Sequence, residues 1–485
     1  LKKQINIVWL KRDLRLQDHA PLHEAEAKGI PYLILFLYEP EFIVAEDCSE
    51  RHLQFQHASI AQMNANLKTL NQQVHCLYAN ALDAFKFFIE EFQVQHVFSH
   101  RESGNMKSFQ RDLSLQELFK SHGILWKEFQ RDGILRGIKN RDSWDEKWHA
   151  YMHSPITQIT YSSDKNVVVH HPFQLPVTFE EMLHNYPSNF QPAGETYALR
   201  YLQDFLQQRA FDYSRYISKP LLSRKSCSRL SPYLAWGNIS VRQAYQHTVA
   251  AMQHSKRKNS YLGFLSRLKW HCHFIQKFES DCSYETQCIN RGFEEFVWHK
   301  NEKYLQAWKQ GNTGVPIVDA CMRCLHQTGW LNFRMRAMLV SFLCHYLQQD
   351  WRWGMYHLAQ LFLDFEPGIH YTQFQMQAGT TGVNLIRVYN PIKNSLEHDA
   401  EAKFISMYVP ELAALPVEFK HEPFRMTELE MQVYGVELGK DYPWPIVDLS
   451  TAAKEGRDRL WQHRKNAAVK EDGKRILEMH TRRKR

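Results

Sequence analysis

The sequence predicts an α/β domain with a doubly wound parallel sheet, followed by an all-helical domain. Three observations carry this. Short β-branched runs alternate with amphipathic stretches through the first third of the chain, the alternation stops near Trp144, and from Gly194 onward apolar residues recur at i, i+3 and i+4. Strand–helix–strand spacing of this kind requires right-handed crossovers and hence parallel pairing.

In order, residues 5–10 read as a strand, and a helix follows from about 21 to 28. Residues 32–37 form a second strand, apolar at every position, as burial on both faces demands. Strands at 74–78 and 96–99 flank a helix at 81–92, completing an α/β domain over residues 1–140. Residues 141–193 are rich in Ser, His, Pro and Asn, with only Val167-Val168-Val169 resembling a strand, and read as an inter-domain connection. The helical domain spans 194–450, with periodic segments at 198–206, 261–278, 316–324, 334–347 and 355–363. Residues 451–485 are a basic helix and tail ending Thr481-Arg482-Arg483-Lys484-Arg485.

At 485 residues the chain exceeds one ordinary core, and 44% hydrophobic residues exclude a disordered chain. The formal charge of +8 suits a polyanionic partner without demanding one. Nine scattered cysteines read as a reducing, intracellular and cytoplasmic setting. No apolar run has membrane length and no signal-peptide pattern is visible, so a soluble protein with no membrane partner is expected. Cys321 and Cys324 have metal-like spacing but no second pair, and read as core thiols; His271-Cys272-His273 is equally weak, so no metal is expected.

The segment Ser228-Arg229-Leu230-Ser231-Pro232 is by itself a loop entering a helix, with an Arg and two hydroxyls suited to an anion. An ordinary capped helix is the alternative. Extended to Cys227 and Gly237, it resembles the segment that cradles the FAD diphosphate in the DNA photolyase/cryptochrome family, where Thr is usual in place of Cys227. Further matches follow in the family's order. Trp9-Leu10-Lys11-Arg12-Asp13-Leu14-Arg15 with Asp18 resembles "WFRxDLRxxDN". Gly194-Glu195-Thr196 resembles the opening of the helical domain. Gly314-Val315-Pro316-Ile317-Val318-Asp319-Ala320-Cys321-Met322-Arg323 resembles "TGxPIVDAxMR". Gly329-Trp330-Leu331-Asn332-Phe333-Arg334-Met335-Arg336 resembles "GWxHNRxR" in part, and Asp350-Trp351-Arg352, Asp364 and Arg387-Val388-Tyr389-Asn390-Pro391 come after it.

The resemblance implies a U-shaped FAD deep in the helical domain. Cys227, Ser228, Arg229, Leu230 and Ser231 would hold its diphosphate. Arg336 and Asp364 would pair beside the isoalloxazine, the guanidinium stabilising negative charge on reduced flavin. Asp364, Phe365 and Glu366 would lie along the cofactor, with Phe264 and Tyr213 flanking it and Tyr216 as the rival for Tyr213. His370 falls at the position facing flavin N5, where it would tune the radical state or simply fill space.

Three departures matter. Distal Trp298 and middle Trp351 of the family's electron relay are present, but Phe374 replaces the proximal Trp; either Tyr371, Tyr356 or Trp353 would substitute, or electrons would enter by another route. At the substrate pocket Arg267 and His271 stand where the dimer-splitting enzymes carry Glu and Arg, with Trp270 retained and Arg334 at the wall. The paired histidines of animal-type (6-4) photolyases are absent at Asn332-Phe333. His100-Arg101-Glu102-Ser103-Gly104-Asn105 follows a strand's C-terminal end, where an antenna chromophore would sit, but matches no particular antenna pocket.

The resemblance thus implies a deoxyribodipyrimidine photolyase-type lyase. Reduced FAD would drive repair of UV-damaged DNA, with the flipped base stacked on Trp270 and met by Arg267, His271 and Arg334. The alternative is a cryptochrome-type blue-light receptor that signals through flavin redox change and a protein partner.

Overall fold

The computed structural model describes residues 2–255 and 258–481. In chain order, β1 (Gln4–Leu10), α1 (Ala20–Ala27), β2 (Tyr32–Tyr38), α2 (Glu50–Leu67), β3 (Val74–Tyr78), α3 (Ala81–Glu91), β4 (Gln93–His100), α4 (Met106–Ser121) and β5 (Leu125–Phe129) form the first domain. The sheet is wholly parallel with order β3-β2-β1-β4-β5. β2 is buried at every position, and β1 at all but Gln4, as central strands covered on both faces must be. The order reverses between β1 and β4, so a crevice opens beyond their carboxyl ends.

The expected doubly wound fold is therefore observed, with its strands within a few residues of their predicted places. β5 carries no clear strand signal because it is an edge strand with no fully buried position, Leu125 being 59% exposed. The triple-valine run forms no strand. Val167 alone is buried, plugged into the sheet's core, while Val168 is exposed.

The connection is more ordered than its composition suggests. It holds α5 (Trp144–His153) and α6 (Val177–His184). Trp144, Trp148 and Met152, four residues apart, bury one face of α5 in the second domain's core.

The helical domain contains α7 (Glu195–Gln207), α8 (Ser231–Ala235), α9 (Lys258–Ser280), α10 (Pro316–Thr328), α11 (Phe333–Ser341), α12 (Arg352–Leu361) and α13 (Pro367–Ala378) among its helices. The predicted helix at 334–347 is α11 plus a π-type segment, Phe342–Tyr346. α9 and α13 cross in contact: a Cβ on Gly368 would lie 2.7 Å from the Ile275 Cα. The basic C-terminal segment is two helices, α14 (Leu449–His463) and α15 (Ala467–His480). Of the predicted tail, Arg482-Arg483-Lys484-Arg485 lies outside the described residues. No helix among the described residues is long and apolar enough to cross a membrane.

The first sequence motif joins the two domains. The Leu14 amide donates to Trp236 O (3.1 Å), Arg15 to Gly237 O (3.0 Å), and Asn238 Nδ2 to Leu14 O (2.8 Å). Asp18 accepts from Ser240 Oγ (2.6 Å) and pairs with Arg242. Gly237 has φ +73°, and a Cβ there would lie 2.2 Å from Arg12 O, so only glycine permits this approach.

Candidate functional site

The loop before α8 carries the first cluster. Arg229 adopts φ +58°, a left-handed conformation that costs a non-glycine residue about 1 kcal/mol. Its guanidinium sits 4.1 Å from the Trp330 ring centroid, and its Nε has no hydrogen-bond partner. Burial, with Arg224 nearby, pulls Arg229 down to about 10. Ser228 Oγ accepts from the Leu230 amide (3.4 Å), and Ser231 Oγ accepts from Trp330 Nε1 (3.2 Å). Cys227 and Leu230 are buried, and the Cys227 carbonyl accepts from Arg209.

The second cluster is an ion pair. Arg336 Nη1 and Nη2 donate to Asp364 Oδ1 (2.9 Å) and Oδ2 (2.8 Å), while its Nε donates to Leu331 O (2.6 Å). Asp364 is nearly buried, whereas Arg336 keeps 24% side-chain exposure and stacks 4.1 Å over Phe362. A bidentate fork fixes the guanidinium plane while leaving one edge open to a ligand.

His370, on the first turn of α13, donates from Nε2 to Met355 O (2.8 Å). That bond assigns the proton to Nε2 and leaves Nδ1 as an acceptor. Phe362, Phe365, Tyr371 and Phe374 ring the imidazole at centroid distances of 5.4–6.1 Å. Burial lowers its pKa to about 4, so the ring is neutral near pH 7.

The remaining predicted residues divide. Tyr213 is buried against Phe205 and Phe264, whereas Tyr216 lies outside with Arg215 and Lys219. Glu366 accepts from Arg131 (2.9 Å) and stands 4.0 Å from Arg12, so its carboxylate serves the domain junction. Arg12 also donates to Phe365 O (2.9 Å).

Arg267, Trp270 and His271, spaced i, i+3 and i+4, lie along one side of α9, spread over about 100°, and Arg334 lies on α11. On α9, His271 turns inward toward Asp132 and Glu366, with its Nε2 unpartnered, and Arg267 lies beside the Tyr213 hydroxyl. Trp270 is 47% exposed on the outer flank, against His273 and Phe274. Arg334 stands apart on α11, near His398, with Nε unpartnered.

Trp351 is fully buried and Trp298 half-buried in the same core, each with an unpartnered indole nitrogen. Phe374 meets His370 at 5.6 Å. A second aromatic line leaves His370 through Tyr371, which meets Tyr356 at 6.4 Å and donates from its hydroxyl to Asp47 Oδ2 (2.8 Å).

At the sheet crevice, His19 Nε2 and His100 Nδ1 both approach Asp13 Oδ2, at 2.9 and 2.7 Å. His19 Nδ1 accepts the Leu22 amide as the cap of α1, and of the two rings only His100 hydrogen-bonds the Asp13 carboxylate. Asn105, in the segment compared with antenna pockets, caps α4 and bonds Asp47. Cys321 and Cys324 are buried core thiols.

Unpartnered, buried nitrogens on Arg229 and His271, both facing the Asp364 charge, with the accessible Arg336, suit an elongated anionic cofactor. Residues 264–462 match the family model described as the FAD binding domain of DNA photolyase, and residues 6–138 match the model for DNA photolyase. A deoxyribodipyrimidine photo-lyase from Alkalihalophilus pseudofirmus is 28% identical over 93% of this chain and 96% of its own. Cryptochrome-2 from Arabidopsis thaliana is 28% identical over 92% of this chain and 77% of its own. The crystal structure of a bacterial class III photolyase from Agrobacterium tumefaciens superposes with a TM-score of 0.83 at 26% identity, covering 96% of this chain and 99% of that one. FAD is the cofactor of this helical domain.

Proposed function

Because the chain belongs to the DNA photolyase/cryptochrome family, we propose that it is a light-driven lyase that splits pyrimidine photoproducts in UV-damaged DNA. FAD, when bound and reduced, supplies an electron donor that light excites. The chain's residues hold, orient and screen it. Ser228, Arg229, Leu230 and Ser231 take the diphosphate, where the unpartnered Arg229 Nε supports an anion contact. Arg336, locked by Asp364, offers fixed positive charge to a reduced isoalloxazine. Tyr213 and Phe264 wall one side, and His370 Nδ1 accepts a hydrogen bond rather than giving one.

The observation that carries the repair reading is Trp270. Trp270 is 47% exposed, and its open ring face suits stacking of an extruded base. The basic excess of +8 supports a DNA partner. Arg267, a cation where a carboxylate is usual, offers donors only, so it suits a phosphate or a base carbonyl.

A second reading, a cryptochrome-type photoreceptor with a signalling partner, draws support from Phe374. A phenyl ring resists oxidation, so the Trp351–Trp298 route to the flavin is interrupted and a different redox cycle is favoured. The two readings separate on Trp270→Ala. With FAD retained, the repair reading expects binding to damaged oligonucleotide to weaken and light-dependent repair to fall at least about tenfold. Unchanged binding and repair would remove Trp270 from the site.

A further inference from the structure

Outside the flavin site, one region of the helical domain gathers cations with too few acids to neutralise them. A groove with about 310 Å³ of free volume runs between α5, the outer flank of α9 and the end of α15. Arg141, Trp144, Lys269, Trp270, His273 and His480 line it, with Asp145 as the one acidic side chain among the described residues there. Asp145 is engaged by Lys269 at 3.1 Å. Arg141 is 3% exposed, yet among the described residues its side chain makes a single hydrogen bond, from Nη2 to His273 O (3.2 Å), and its Nε and Nη1 have no partner there. Lys277, one turn beyond His273 on the same flank, is 8% exposed and has no hydrogen bond or ion pair among the described residues. His480 holds Tyr284 through Nε2 (2.9 Å), and its Nδ1 is unpartnered.

Burying a cation without a counter-charge costs several kcal/mol, so a folded protein keeps such groups where a ligand compensates them. Burial pulls Arg141 down to about 10, and burial together with Arg141 and Arg475 pulls Lys277 down to about 8, the mark of positive charges without an acid. The groove's lip is the exposed ring of Trp270, and Trp144 lies under Arg141 at 5.0 Å. Flat apolar faces beside convergent cations are the two halves of a nucleotide site, one for a base and one for a phosphate.

We propose that this groove binds the phosphate of a nucleotide through Arg141, with the buried charge of Lys277 behind it and the base against Trp270. The inference rests on the repair reading in one respect, that the nucleotide belongs to a DNA strand; a free nucleotide is the other source of the same chemistry.

The test uses the FAD-loaded full chain and the variants Lys277→Met and Arg141→Gln, with Lys269→Gln at the rim in case a buried substitution fails to fold. Thermal unfolding is followed in phosphate-free buffer with added thymidine 5′-monophosphate, and binding of an undamaged single-stranded oligonucleotide is followed by anisotropy across salt. Lys277→Met should unfold at a higher temperature than wild type without ligand, because it removes an uncompensated charge. It should also lose the midpoint rise that the nucleotide gives wild type. Oligonucleotide affinity should fall about tenfold, with the salt slope reduced by about 0.7 for each phosphate the variant no longer neutralises. Loss confined to the oligonucleotide assigns the site to a DNA strand, and loss for both ligands assigns it to nucleotides generally. A Lys277→Met protein that is destabilised, or variants that bind both ligands as wild type does, would overturn the proposal. Light-dependent repair is scored separately: repair with unaltered phosphate binding sinks the groove alone, and phosphate binding without repair sinks the lyase reading alone.

Discussion

Arg336 and Asp364 meet through two parallel hydrogen bonds of 2.9 and 2.8 Å, joining α11 to the turn that enters α13. The carboxylate is almost wholly buried and the guanidinium is not, so the positive member is the accessible one of the pair. Arg336→Leu strands Asp364 without its partner and should cost about 3 kcal/mol of stability. FAD content after purification should drop, and the reduced flavin should reoxidise faster in air. Wild-type FAD content and reoxidation rate in this variant would remove the pair from cofactor binding.

Phe374 breaks the tryptophan line at the position nearest His370, while Tyr371 sits beside the same imidazole with its hydroxyl on Asp47. Phe374→Trp should raise the rate at which blue light and a thiol reductant bleach oxidised flavin, at a packing cost of about 1–3 kcal/mol. Tyr371→Phe, which keeps the ring and removes the hydroxyl, should slow the same bleaching in the wild-type background. Equal rates in all three proteins would mean that electrons enter by neither path.

Gly237 lets the two domains touch. Gly237→Ala places a methyl 2.2 Å from Arg12 O at a φ of +73° and should destabilise the junction by about 3 kcal/mol. Limited proteolysis should then cut between the domains, releasing a helical fragment. A variant as protease-resistant as wild type would show that the junction gives way without cost.

Buried histidines set the acid response. Burial holds His100, His345 and His370 down to about 4 and His52 to about 3, against 6.5 for a free imidazole. The unfolded chain therefore binds more protons than the folded one between pH 6.5 and about 4, and stability falls as pH falls through that window. Each contributes a loss of about 1–2 kcal/mol by pH 5. Asp13 and Asp18, held below their usual range despite burial by histidine and arginine neighbours, extend the loss below pH 4. The urea midpoint should be clearly lower at pH 5 than at pH 7.5; a midpoint equal or higher at pH 5 contradicts the assignment of neutral imidazoles.

Strongly patterned elements are legible in the sequence and weakly patterned ones are not. β2 carries seven buried residues in a row, and no helix of that composition fits between its neighbours. β5 alternates nothing and hides at the sheet edge. The stripe of Trp144, Trp148 and Met152 is present in the sequence, but the polar residues around it dominate the composition. Among site residues, Arg336 and Asp364 follow from local motifs. The junction roles of Arg12, Asp18 and Glu366 require knowing what packs opposite them, which spacing along one chain does not supply. Arg141 and His480, which share a groove with Trp270, come from segments far from it in the chain, so their meeting is not legible in the sequence.

The repair reading is tested most directly by illuminating the fully reduced, FAD-loaded protein with two defined oligonucleotides, one carrying a cyclobutane dimer and one a (6-4) product. One of them should be restored in light and not in darkness, and Trp270→Ala with FAD retained should lose this. Restoration of neither, with flavin bound and reduced throughout, would contradict the lyase and leave the photoreceptor reading in its place.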